Sequence, residues 1–342
     1  MVVNVGVVGT GMIGTEHIES LANHVGGARI AAVFDVDGDR AAEVAASVGA
    51  DTAATASDVI RSEDVDAVLI ATPGFTHAEL VLECLDVGVP TMCEKPLATS
   101  AADCVKILEA EVAVGRKLIQ VGFMRRFDVG YQQVKEAIAS GAIGETVMGH
   151  MFHRNPEVPP EFGDEMVMND AFIHEMDVTR WLFDDEVAAV RVLAGRSTPK
   201  AHEGLHDPQI LVFELASGVL VLAEAFVANG FGYDVRCEVL GSDGTVELST
   251  PRLSARTTVN ARSERIPDGW KERFGDTYRR ELKAWIDAVA AGTHVGPDAW
   301  DGYAATVIAD AGVEAQRRMG ERVTVELIDR PDLYRRAKGT SP

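Results

Sequence analysis

Apolar positions along the chain follow two patterns, which change over near Gly122. Before it, short runs rich in Val, Ile and Leu alternate with amphipathic stretches. Val3–Val8, Ile30–Phe34, Ala67–Ala71, Thr91–Cys93 and Leu118–Val121 read as strands, and 12–24, 39–49, 77–87 and 101–114 as helices. Continuous apolar strands are expected where helices cover both faces of a sheet. Repeated strand–helix–strand units therefore predict a doubly wound parallel sheet. After Gly122 a helix near 129–139 gives way to longer, alternating strands at 144–153 and 187–194. The pair 209–215 and 219–227 flanks Ala216-Ser217-Gly218, and the pair 233–241 and 245–249 flanks Ser242-Asp243-Gly244. Both are hairpin signals and predict a large, mostly antiparallel open sheet. Helices near 276–292 and 297–319 follow, the second with Pro297 in its first turn. The expected organisation is α/β: a Rossmann-type domain over 1–121, an α+β domain over 122–330 and a polar, loosely held tail over 331–342.

The first strand ends in Gly9-x-Gly11-x-x-Gly14. An apolar strand entering this pattern is how a chain holds a dinucleotide pyrophosphate. Gly9 permits the tight turn, Gly11 lets backbone approach phosphate, and Gly14 lets helix and strand pack closely. Met12 and Ile13, at the helix start, bring free N–H groups and the positive dipole end toward the phosphates. The next strand leads into Asp35, 21 residues past Gly14, close to the spacing of a carboxylate that grips the adenosine ribose. Such a carboxylate accepts from the 2′-hydroxyl of NAD and repels the 2′-phosphate of NADP. Arg40, five residues on, partly offsets that charge. NAD is the expected cofactor.

Composition narrows the partners. With 342 residues there is ample length for two cores, and the formal net charge of −21 disfavours a nucleic-acid partner, which needs a basic face. Cys84, Cys93, Cys104 and Cys237 form no Cys-x-x-Cys pair, suggesting neither a zinc site nor a redox dithiol and fitting a reducing cytoplasm. The N-terminus lacks a basic signal-peptide region, and no apolar run has the length of a membrane span.

Two clusters carry chemistry. Thr72-Pro73 and Glu94-Lys95-Pro96 stand at strand ends, where open parallel sheets bind ligands. His77 starts the following helix, and a structural role suits it better than catalysis. Lys95 beside a proline, just past a buried strand, is hard to read as a surface ion pair with Glu94. The second cluster is the expected helix 168–182, on which Asp170, His174 and Asp177 share one stripe while Phe172, Ile173 and Met176 anchor the other side. A carboxylate one turn from an imidazole fixes its tautomer and raises its basicity, as proton abstraction from a hydroxyl requires. A solvated acidic face with a satisfied histidine is the alternative. No metal is expected: His174-Glu175 opens like a zinc motif, but Val178 breaks it. His150 and His153 fall on opposite strand faces, and His202 and His206 flank a glycine-containing loop.

With these residues in place the chain resembles the glucose–fructose oxidoreductase and inositol dehydrogenase family. The likeness is carried by GTGMIG (9–14), ATP, EKP and the Asp-x-x-x-His helix, and covers nearly the whole length. The stretches 122–131, 153–156, 174–182, 206–210, 232–241 and 296–303 point within the family to inositol. The resemblance implies a catalytic Lys95, Asp170 and His174. It implies a polyol pocket lined also by Met124, Arg125, His153, Asn155, Asp177 and Tyr233, and a homotetramer formed through the C-terminal sheets. The implied reaction is NAD-dependent oxidation of a ring hydroxyl of myo-inositol to a keto-inositol. The acidic, proline-rich segment 156–168 fits the pattern less well and bears on preference among inositol isomers. Alternatives are a dehydrogenase of scyllo-inositol, D-chiro-inositol or glucose, and a non-catalytic dinucleotide sensor.

Overall fold

Every side chain of Ala67–Ile70 is buried, as are Val3, Val5, Val7 and Val8, so the apolar runs are strands covered on both faces. The computed structural model describes residues 2–248 and 255–335. They form two compact units, one drawn from Met1–Met124, Tyr278–Thr306 and Leu327–Pro342, the other from Arg125–Thr277 and Val307–Glu326.

In the first unit six parallel strands stand in the order β3-β2-β1-β4-β5-β6: β1 (Val3–Val8), β2 (Ala28–Phe34), β3 (Asp51–Thr52), β4 (Ala67–Ile70), β5 (Thr91–Cys93) and β6 (Ile119–Val121). Helices α1 (Met12–Asn23), α2 (Gly38–Val48), α3 (Ala56–Ile60), α4 (His77–Val87) and α5 (Ala101–Val114) connect them. The strand order reverses between β1 and β4, which makes the carboxyl end of β1 the switch point where such sheets bind ligands. The expected doubly wound sheet is present. The short β3 and α3 were not expected, because two and five residues are too few to show a period.

The unit boundaries depart from a reading in chain order. Helix α9 (Trp270–Ala291) sends Leu282, Trp285 and Ile286 into the core of Val3, Val5, Val7, Ile18, Leu21 and Ile30, so Tyr278–Thr306 belongs with the N-terminal strands. An amphipathic pattern shows that a helix has an apolar face, not which core receives it. The last helix, α10 (Ala299–Arg317), begins two residues after Pro297. Its start is capped by Asp298, whose carboxylate accepts from Asp301 N–H at 3.1 Å while Asp301 accepts from Asp298 N–H at 3.2 Å. Pro297 therefore precedes the helix rather than opening its first turn. The start of the tail is also held. Tyr334 is 1% exposed and donates to Glu111 at 2.6 Å. The expectation for 336–342 lies outside the described residues.

The second unit carries seven strands in the order β12-β11-β7-β10-β9-β8-β15. They are β7 (Thr146–Arg154), β8 (Val187–Ala194), β9 (Gln209–Leu215), β10 (Leu220–Phe226), β11 (Asp234–Gly241), β12 (Thr245–Glu247) and β15 (Val323–Thr324). Both expected hairpins form, and only the β7–β10 pairing is parallel. A small hairpin of β13 (Ala255–Thr258) and β14 (Ala261–Glu264) stands apart. Helix α6 (Val129–Ala139) precedes the sheet. The expected single helix over 168–182 is two pieces, a π-turn over Val167–Ala171 and α8 (Ile173–Phe183), preceded by the short α7 (Asp164–Met166). Helix α8 lies on β7, where the Thr179 hydroxyl reaches the Met151 sulfur at 3.4 Å. The opposite sheet face bears Leu193, Ile210 and Leu220, all exposed, with Met148, Phe152, Val212 and Leu222 half-buried. Among the described residues, no helix is long and apolar enough to cross a membrane.

Glu111 is fully buried and also accepts from Leu118 N–H and Ile119 N–H at 2.6 and 2.7 Å, so Tyr334 completes its set of donors. Replacing Tyr334 by Phe is expected to cost about 1–3 kcal/mol, the usual penalty for a buried acceptor that loses its donor. Calorimetry should show a melting midpoint lowered by several degrees, whereas an unchanged midpoint would mean the tail adds no stability.

Candidate active site

The nucleotide turn in the first unit has the predicted form. Gly9 sits at φ +101°, and a Cβ there would meet the Ala71 carbonyl at 2.6 Å. A Cβ on Gly14 would meet the Gly9 oxygen at 2.1 Å, which keeps α1 close to β1. A Cβ on Gly11 would meet nothing within 4 Å, so the space beside its backbone is open. Met12 and Ile13 begin α1, whose N-cap Gly11 makes no side-chain cap bond. Its first N–H groups are thus left to a ligand, which fits a pyrophosphate.

Asp35, at the end of β2, accepts from Thr10 N–H (2.7 Å) and Thr10 Oγ1 (3.0 Å) on one oxygen, and from Asp37 N–H (2.9 Å) and Arg40 (2.7 Å) on the other. Burial opposes its ionisation, but these donors outweigh burial and hold the carboxyl below its usual range. Arg40 is thereby turned onto Asp35, its offsetting charge made into a direct contact. The two later strand ends are laced together by His77, which is fully buried. Its ring nitrogens lie 2.7 Å from the Pro96 carbonyl and 2.8 Å from that of Thr72. Burial lowers its pKa, so the neutral ring donates to one of the two. Thr72 and Thr76 share a hydroxyl contact of 2.7 Å, and Pro73 precedes the short 3₁₀ turn Gly74–Thr76.

Glu94 is 7% exposed and accepts from His17 Nε2 at 2.6 Å and from Lys95 N–H at 3.1 Å. Burial opposes the charge, and the His17 bond carries the pKa below the usual carboxylate range. Glu94 thus has a partner other than the Lys95 side chain. His17 escaped the sequence reading. It falls on the buried stripe of α1 with Gly14, Ile18 and Leu21, and a histidine on such a stripe needs a partner.

In the second unit the stripe is solvated only at Asp170, while His174 and Asp177 are buried. Nine of the eleven α8 residues are buried, Glu175 and Asp177 at 1% exposure and His174 at 9%. Phe172, Ile173 and Met176 anchor the segment as expected. Asp170 is exposed and lies in the π-turn, a deviation that recurs at functional sites, so the path from Asp170 to His174 is not an uninterrupted α-helix. Asp177 is gripped by the fork of Arg126 at 2.9 and 2.5 Å. Arg125, 1% exposed, is paired with Glu175, and its Nη2 lies 3.2 Å from His153 Nδ1. His153 Nδ1 is 2.9 Å from Glu175 Oε2, and its ring stacks on Phe172 and meets the edge of Tyr233. Asn155, just past β7, has a buried Oδ1 with no hydrogen-bond partner among the described residues.

His153, Arg125 and Tyr233 are thus brought together, around a carboxylate that sequence reasoning did not single out. Glu175 and Arg126 went unrecognised because partners from other elements give them their roles. Met124, in the first unit, is 2% exposed. His150, on the open sheet face, lies 3.8 Å from Glu238. His202 and His206 bind the 156–168 segment instead of each other, through the Phe162 carbonyl (2.7 Å) and the Asp164 carboxylate (2.6 Å).

A parallel sheet whose first strand ends in this glycine turn, with an ionised carboxylate ending the second, defines a dinucleotide-binding protein. Residues 3–123 match an oxidoreductase family with an NAD-binding Rossmann fold (GFO/IDH/MocA), and 135–327 match the C-terminal α/β domain of that family. The chain belongs to this family of NAD-binding oxidoreductases. It is 50% identical over 334 residues to inositol 2-dehydrogenase 3 of Saccharopolyspora erythraea, covering 98% of each. It is 44% identical over 337 residues to inositol 2-dehydrogenase of Agrobacterium fabrum, covering 98% of this chain and all of that one. It superposes on the myo-inositol dehydrogenase of Lactobacillus casei, solved with NAD(H) and myo-inositol, with a TM-score of 0.95 at 34% identity, over 98% of this chain and 100% of that one.

Asp35→Ser removes the charge that would face a 2′-phosphate and frees Arg40 to meet one. The ratio of kcat/KM with NAD to that with NADP should fall by at least about tenfold, the weight of one charged contact. An unaltered ratio would show that Asp35 does not select the cofactor.

Proposed function

We propose that this protein oxidises myo-inositol to 2-keto-myo-inositol with NAD, as a cytoplasmic enzyme of inositol catabolism. The observation that carries the reading is the buried, unpartnered Oδ1 of Asn155, two residues from His153 on the same strand path. A buried acceptor without a donor is costly, and a cyclic polyol brings hydroxyl donors at every ring carbon. The inositol dehydrogenases that match this chain over nearly its whole length support the same substrate.

In this reading Gly9, Gly11, Met12, Ile13 and Gly14 hold the pyrophosphate, Asp35 and Arg40 the adenosine ribose, and Thr72, Pro73, His77, Glu94 and Lys95 line or brace the cofactor cleft. Met124, Arg125, His153, Asn155, Asp177 and Tyr233 shape the polyol site. NAD, when bound, supplies the two-electron acceptor for the carbinol hydride. Losing that hydride makes a carbonyl only if the hydroxyl proton also leaves. A neutral His174, oriented by Asp170, takes the proton. The Lys95 ammonium stabilises the alkoxide charge that develops.

The open face of the second sheet supports assembly into a homotetramer. Leu193, Ile210, Val212, Leu220 and Leu222 make an apolar field, bordered by Arg154 paired with Glu224 (2.6 Å) and Asp234 (3.2 Å). Such a face is a preferred site for association. Native mass spectrometry should find tetramers, and Leu222→Arg should shift them to smaller species. A monomeric wild type would end this part of the reading.

The reaction is tested by NADH absorbance with myo-inositol, scyllo-inositol, D-chiro-inositol and glucose, each with NAD and NADP. Strong turnover with myo-inositol and NAD is expected, and His174→Ala should lower kcat by about 100-fold or more while NAD still binds. Activity confined to another polyol would move the error to the pocket and the 156–168 segment. Silence with all four, despite NAD binding, would overturn the enzymatic reading.

A further inference from the structure

Glu175 lies at the centre of the buried polar cluster in the second unit, yet the mechanism above does not use it. It is 1% exposed, and its two oxygens serve different partners: Oε1 takes the Arg125 guanidinium and Oε2 stands 2.9 Å from His153 Nδ1. The carboxyl is ionised. Burial opposes the charge, but the Arg125 guanidinium and the hydrogen bond from the His153 ring carry its pKa below the usual range. An ionised carboxylate only accepts hydrogen bonds. The hydrogen between Oε2 and the ring therefore sits on His153 Nδ1. Arg125 Nη2, 3.2 Å from the same nitrogen, is the longer contact, and Arg125 already donates to Glu175.

A neutral imidazole with hydrogen on Nδ1 has its lone pair on Nε2. That nitrogen has no hydrogen-bond partner among the described residues. A half-turn of the ring would put Cδ2 where Nδ1 stands and lose the Glu175 contact, so the 2.9 Å bond fixes which edge faces Glu175, while stacking on Phe172 (centroids 5.7 Å apart, planes at 19°) and the edge of Tyr233 (6.1 Å) fix the ring plane.

We infer that Glu175 is a positioning residue: by holding the hydrogen on His153 Nδ1 it makes His153 Nε2 an obligatory acceptor for one hydroxyl of the polyol. Arg125 supplies the counter-charge that lets this carboxylate stay ionised while buried. The inference rests on the proposed polyol site in taking His153 as a substrate contact. It adds that the contact has a fixed polarity and names the residue that sets it. A polyol analogue with a methoxy group or fluorine at the contacted carbon, which can accept but not donate, loses this bond, whereas one that keeps the hydroxyl retains it.

The test is a double-mutant cycle on the intact enzyme with NAD and myo-inositol. Glu175→Gln keeps shape and volume but offers the ring an amide whose NH₂ can face Nδ1. It should raise KM for myo-inositol about tenfold, the weight of a hydrogen bond to a charged or fixed partner, with a smaller fall in kcat. His153→Asn should raise KM by a similar factor. In the double variant the increases should fail to multiply, because Glu175 acts through His153. Fully multiplicative effects, or a Glu175→Gln change confined to kcat, would overturn the inference and leave Glu175 a structural ion-pair partner.

If His153→Asn leaves KM unchanged in an enzyme that turns over myo-inositol, the placing of His153 in the polyol site fails. If His153→Asn raises KM and Glu175→Gln does not, the positioning role alone fails. Should Glu175→Gln not fold, the wild-type tautomer still decides. In protein labelled with ¹⁵N-histidine, the His153 signals, identified by their absence in His153→Asn, should show hydrogen-bearing Nδ1 and bare Nε2. The opposite tautomer would overturn the inference.

Discussion

A parallel sheet exists only with both faces covered, and that constraint sends the polar chemistry of the first unit to the carboxyl ends of its strands. Strands β1, β2, β4 and β5 end in the glycine turn, Asp35, Thr72-Pro73 and Glu94-Lys95-Pro96. The groups there are held in place by neighbouring side chains. His77 spans two of the loops, His17 secures Glu94, and Thr10 and Arg40 orient Asp35. Each carboxylate remains ionised although partly or wholly removed from water, because donors from neighbouring elements replace the lost hydration.

The second unit meets the same requirement by another route. Helix α8 is buried almost all round, including its charged residues, so its interior face must be polar and fully paired. Two adjacent arginines divide the work. Arg125 neutralises Glu175 beneath His153, and Arg126 clamps Asp177. The π-turn before α8 changes the register at Asp170 just where the helix enters the site. Besides the Asp170–His174 pair expected within one segment, a second carboxylate–imidazole pair, Glu175 with His153, joins a helix to a strand.

Much of this protein was legible in its sequence. Strands β1, β5, β8 and β9 and helices α4, α5 and α6 lie within the limits their patterns predicted, because each is long enough or apolar enough for local periodicity to dominate. The glycine turn and Asp35 were legible for a related reason: their function depends on backbone conformation and on fixed spacing along one strand–helix–strand unit. The sequence by itself thus determined the class of fold, the nucleotide turn and the oxidoreductase family. Only the tertiary structure decided that α9 returns Leu282, Trp285 and Ile286 to the first core, that Tyr334 ties down the start of the tail, and that Glu175, Arg126 and His17 brace the sites. These contacts join residues far apart in the chain, and a buried charge acquires its role from the partner that compensates it, which no local pattern encodes.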